Sequence, residues 1–147
     1  MNLTFKKLKN VDEATTARIN ALMRKLHGLA AVHTVTDLAD IMAKNDIYVA
    51  EDSTGEILAA GLFHYQRLLT HPVARIHNLS AGGEDPEDLL NQMITAMVRD
   101  CQRDYPRTEI QINIHRKRET REALVRSLGF VVEDKQCFKL KVPKKKK

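Results

Sequence analysis

Two glycines and six histidines are the residues of this 147-residue chain whose types and placement could do chemistry. Gly82 and Gly83 stand between an alternating segment at 73–80 and an amphipathic segment at 84–101. A strand that feeds a helix through a glycine turn is a common place for a ligand site in α/β proteins, because the first helical N–H groups have no partner inside the helix. An imidazole titrates near neutrality and can accept a proton at physiological pH. No histidines or cysteines share the spacing of a metal pair, and no metal site is expected. Cys101 and Cys137 lie far apart without a Cys-x-x-Cys motif, so both read as buried thiols. A basic cluster, Arg116, Lys117, Arg118 and Arg121, heads a late helical segment. It could meet an anion, or it could be a solvated helix face with Arg118 and Glu122 at i,i+4 spacing.

The elements that would hold these residues follow from hydrophobic period. Residues 3–8 read as a strand, Asn10 as a cap, and 11–26 as a helix with Val11, Ala14, Ile19, Leu22, Met23 and Leu26 facing in. Gly28 stops that helix, and Thr34 starts another through Leu38, Ile41 and Met42. Apolar runs at 47–50 and 57–63 flank the turn-rich stretch 51–56 and form a hairpin, to which 73–79 adds a third antiparallel strand. The long helix opens with an Asp cap, Pro86 and first-turn carboxylates, and its apolar stripe runs Leu89, Leu90, Met93, Ile94, Met97, Val98, Cys101. Residues 108–115 alternate with Ile110, Ile112 and Ile114 on one face, and that face needs a helical cover. A helix at 117–128 ending at Gly129 and two strands, at 131–132 and 137–142, complete the chain. The order β-α-α-β-β-β-α-β-α-β-β is that of an α/β (α+β) mixed sheet with helices on both faces.

Composition sets limits on partners. A 43% hydrophobic content suffices for one core, so residues 1–142 are expected to form a single domain followed by a basic tail at 143–147. The longest apolar run falls short of the ~20 residues a membrane helix needs. The first six residues lack a signal-peptide core, so a soluble, cytoplasmic protein without a membrane partner is expected. Four lysines at 144–147 account for most of the net charge of +5 and leave the body nearly neutral. Aromatic residues are 5% and Trp is absent, so base stacking has no platform and specific nucleic-acid binding is not expected.

The element order, with Tyr48-Val-Ala-Glu-Asp52, Thr54-Gly-Glu-Ile-Leu-Ala-Ala-Gly61, Ile76-His-Asn-Leu79 before the long helix, and Ser127-Leu-Gly-Phe130, resembles the GCN5-related N-acetyltransferase (GNAT) family from Leu3 to Val142. The resemblance implies the acyl-CoA N-acyltransferase-like fold, a bulged fourth strand that splays from the fifth, and acetyl-CoA in the resulting cleft. Leu79, Ser80 and Ala81 would then hold the pantetheine, with Gly82 and Gly83 beside them. The family's diphosphate loop, aligned through the strand, falls on residues 86–91, where both glycines are missing and Asp85, Glu87 and Asp88 stand near the expected anion. Like charges at contact in partly screened surroundings repel by on the order of a few kcal/mol. Arg118 or Arg121 would compensate. His77 takes the fourth-strand position where some members carry the base that deprotonates the substrate amine. The family's tyrosine, which often protonates the departing thiolate, is Val125 here, and its asparagine is Arg118.

The implied activity is transfer of an acetyl group from acetyl-CoA to a primary amine, either a small molecule or a protein amine. A catalytically inactive GNAT-like binding or regulatory module, its diphosphate loop lost, is the competing reading, favoured by the acidic loop and Val125. A homodimer through the last strands would be in keeping with the resemblance.

Overall fold

The computed structural model describes residues 2–113 and 119–131. Five strands and four helices are arranged as β1 (Thr4–Lys7), α1 (Glu13–His27), α2 (Val35–Met42), β2 (Asp46–Glu51), β3 (Ile57–Arg67), β4 (Pro72–Ala81), α3 (Pro86–Asp104), β5 (Glu109–Ile112) and α4 (Glu119–Ser127). A single 3-10 turn, Leu29–Ala31, joins α1 to α2. The sheet order is β1-β2-β3-β4-β5, antiparallel except for the parallel pair β4 and β5, which α3 connects. A parallel neighbour requires such a crossover, and here it is the long amphipathic helix.

The period-2 alternation of the strands divides the core in two. Ile47 and Val49 of β2, with Ile57 and Ala60 of β3, pack on Ile19, Leu22 and Leu38 from α1 and α2. Tyr48 and Ala50 point the other way, with Phe63, Ala74 and Ile76, onto α3. All seven residues of the predicted α3 stripe are buried. Ile110 and Ile112 join the α3 side, so the apolar face of β5 has its helical cover.

Several local expectations need correction. The α1 cap is Asp12, whose Oδ1 accepts the Thr15 N–H at 2.7 Å; Asn10 lies two residues upstream of it. The cap sets the helical phase, so Thr15 joins Ile19 and Leu22 on the buried face at i, i+4 and i+7 while Ala14 is exposed. At α2, Thr34 and Asp37 form a reciprocal capping box with bonds of 2.8 and 3.0 Å. Strand β3 runs on to Arg67, four residues past the predicted end, because β4 supplies paired backbone as far as Pro72. Val131 is exposed and outside any strand. Ile114, His115 and the terminal strand at 137–142, through which a dimer was expected, lie outside the described residues. Glu122 pairs with Arg126 at 2.9 Å along α4.

Candidate functional site

Strand β4 changes character near its middle. Val73 to Ile76 pair with Glu109 to Ile112 of β5, and Ile76 with Ile112 is the last of these pairs among the described residues. On the other edge, Leu62 faces His77 and Ala60 faces Ser80, so Gly61 alone opposes both Asn78 and Leu79. That is a β-bulge, one residue against two. Asn78 adopts a left-handed φ of 53°, a conformation that Asn tolerates better than most side chains. A Cβ at Gly61 would lie 2.6 Å from Leu79 Cδ2, so the Leu79 side chain would have to shift to admit one. From His77 to Ala81, β4 therefore has no strand partner on its β5 side among the described residues. A free strand edge presents backbone donors and acceptors to an extended ligand.

The α1 and α2 side of this bulge is hollow. A cavity of about 310 Å3 lies between the two helices and the sheet, with Asn78 and Ser80 in its wall. His27, the last residue of α1, lines it and holds its Nε2 3.1 Å from Ser80 Oγ. His33 lines it too. Its backbone is clasped by Asn20, which accepts the His33 N–H and donates to the His33 carbonyl, both at 2.8 Å. This clasp ties the α1–α2 connection to α1 and holds the cavity's roof. Sequence reasoning passed over both histidines, since contacts across 53 residues leave no local pattern. The only available hint was the position of His27 beside the helix-ending Gly28.

His77 lies one residue before the bulge but outside the cavity wall. Its Nε2 is 3.2 Å from Asn45 Oδ1. Burial first, then His64 and Arg75, hold its pKa below the ordinary 6.5, so the imidazole stays neutral near pH 7. Leu79 and Ala81 point to the α3 side and pack on that core, whereas Ser80 faces the cavity. The thiol of Cys101 is buried and burial pushes its pKa up, which makes it a core group and not a nucleophile. Tyr48 donates its hydroxyl to Asp100 at 3.1 Å, and burial raises its pKa well above the usual phenol range.

Residues 86–91, aligned above with a diphosphate loop, are the first turns of α3. The loop itself is the shorter segment 82–85. Gly82 is buried and donates its N–H to the Leu58 carbonyl at 2.9 Å. Gly83 has a φ of +90° and open space where a Cβ would stand. Asp85 Oδ1 accepts the Asp88 N–H at 3.1 Å, so one helix-start donor is already met by a carboxylate of the chain. Arg118 lies outside the described residues, and of Arg121 only the helical backbone is described. Val125 is buried in the α3-side core and takes no part in a polar site. Among the described residues no group of three His, Cys, Asp or Glu could hold a metal ion, and no helix is long and apolar enough to cross a membrane.

No protein-family model and no curated protein sequence matches the chain. Solved structures do match in shape. A Trypanosoma brucei acetyltransferase superposes with a TM-score of 0.72 at 17% identity, covering 96% of this chain and 100% of its own. An aminoglycoside acetyltransferase from an uncultured soil metagenomic sample, in complex with sisomicin, gives 0.73 at 13% identity, covering 97% of each chain. The glucosamine-6-phosphate N-acetyltransferase of Arabidopsis thaliana gives 0.68 at 14% identity, covering 95% of this chain and 99% of its own. With the bulged fourth strand and these superpositions together, the chain has the GNAT fold, that of the acyl-CoA N-acyltransferases.

Proposed function

We propose that this protein is an N-acetyltransferase that moves an acetyl group from acetyl-CoA to a primary amine. The observation that carries the proposal is the edge of β4 from His77 to Ala81, which has no strand partner on its β5 side among the described residues and contains the Asn78 bulge. The edge suits an extended pantetheine, and the open space at Gly83 leaves room for the cofactor to turn at the head of α3. Acetyl-CoA supplies an activated acetyl thioester. The chain supplies position: backbone at Leu79, Ser80 and Ala81 to orient that group, Gly82 to fix the turn through its bond to Leu58, Gly83 to let the ligand approach closely, and Arg118 and Arg121 to offset the carboxylates of Asp85, Glu87 and Asp88. His77, kept neutral by burial and not part of the cavity lining, is the proposed base, drawing the amine proton through water.

The sheet divides the two ligands. Thioester and acceptor would meet at the bulge, where consecutive side chains face opposite cores. The acidic start of α3 and the buried Val125 favour the other reading, a module that has kept the fold and lost the chemistry. Thermal unfolding with and without acetyl-CoA separates the two. Ligand at 100 times its dissociation constant stabilises a native state by about 2.7 kcal/mol, and a corresponding rise in Tm is expected here. No rise at millimolar acetyl-CoA, with none for CoA, would leave the binding module.

A further inference from the structure

We infer that the acceptor is a monoamine on an apolar body, not a polycation. This rests on the transferase reading above and deepens it. The cavity beside the bulge is walled by Ile19, Met23, Leu38, Ile41 and Leu62. Its polar groups are His27, His33, Asn78 and Ser80, and among the described residues its lining has no carboxylate. Each additional ammonium drawn into such a space loses hydration without gaining a counter-charge, which is costly. A single amine avoids that penalty. Its nitrogen can rest at the His27–Ser80 pair, where the Ser80 hydroxyl accepts an N–H bond, while its hydrocarbon replaces water against the aliphatic wall.

The same surroundings help the chemistry. Only a neutral amine has the lone pair that attacks a thioester, and a low-dielectric site favours the neutral form of an amine. An apolar acceptor would therefore lose its proton more readily here than in water, and a modest base would suffice. Two neighbours in shape are named for an aminoglycoside and for a sugar phosphate, both strongly polar compounds. The lining of this cavity argues for a different acceptor class from either.

The test is a titration of the full chain, carrying 13C-methyl methionine and leucine, with propylamine, butylamine, pentylamine and hexylamine, and separately with spermidine and kanamycin. Affinity is expected to rise about fourfold per methylene, with shifts at the Met23 and Leu38 methyls. Spermidine and kanamycin should leave those methyls in place. The Ala31→Phe variant, with cavity volume filled, should flatten the series while its far-ultraviolet spectrum stays native. A flat series in the wild-type chain, or tighter binding of the polycations, would overturn the inference. CoA release from acetyl-CoA supplies the second arm: transfer to spermidine or kanamycin but not to hexylamine would overturn the acceptor class and leave the transferase standing. The methylene slope appearing with no response to acetyl-CoA would instead overturn the transferase reading and, with it, the role of the cavity as an acceptor site.

Discussion

The two faces of the sheet are built to different standards. On the α3 side Met93, Ile94 and Met97 are fully enclosed, aromatic rings of Tyr65 and Tyr105 stack at 4.4 Å, and Tyr48 reaches Asp100 at the edge. On the α1 and α2 side, Met23, Ile41 and Leu62 are only partly buried, and a cavity lined by His27 and His33 remains. Close packing on one side holds the strands in register. That rigidity lets the other side stay open without loss of the fold, since side chains that bind a ligand must leave room for it.

The contrast can be broken directly. Met97→Ala should destabilise by about 2–5 kcal/mol, because the enclosed site cannot collapse onto the void; chemical denaturation would measure it. Ile41→Ala, beside an existing cavity and half in solvent, should cost only about 1 kcal/mol. Equal costs would mean that the two faces are packed alike. Gly61→Ala joins the two faces at the bulge. The added Cβ must displace Leu79 Cδ2, at 2.6 Å, and a loss of about 1–2 kcal/mol is expected. The acetyl-CoA-induced rise in Tm should shrink in the same variant, because Leu79 carries proposed cofactor backbone. Thr34→Ala removes half of the α2 capping box and should cost about 1 kcal/mol by denaturation, a test of how firmly the open face is anchored.

The smallest effect concerns His77. The fold holds its pKa below 6.5, so the unfolded chain binds more protons between that value and the lower folded one. Its contribution to stability is whole above about pH 6.5 and is lost as the pH falls through the folded pKa. His77→Gln should flatten stability between pH 7 and 5 relative to the wild type. An unchanged slope would move the titrating group away from His77.

What could be read in advance follows the same division. The α3 stripe was legible in full because a 3.6-residue period repeated over five turns admits one buried face. Thr34 as a helix start and Gly28 as a stop were legible because caps act within a few residues. The Asp12 cap was missed by two positions, and the phase error it carried exposed Ala14 in place of Thr15. The loop aligned with residues 86–91 proved helical, although Pro86 at the first helical position already marked that boundary.

Local chemistry, then, was decided by the order of residues: periods, caps and glycine stops need only neighbours a few positions away. The parallel pairing of β4 with β5, the left-handed Asn78 opposite Gly61, and the meeting of His27 with Ser80 belong to the tertiary structure alone. Each depends on backbone or side chains brought together from distant parts of the chain, and the free energy that holds them comes from a sheet that exists only once all its strands have paired.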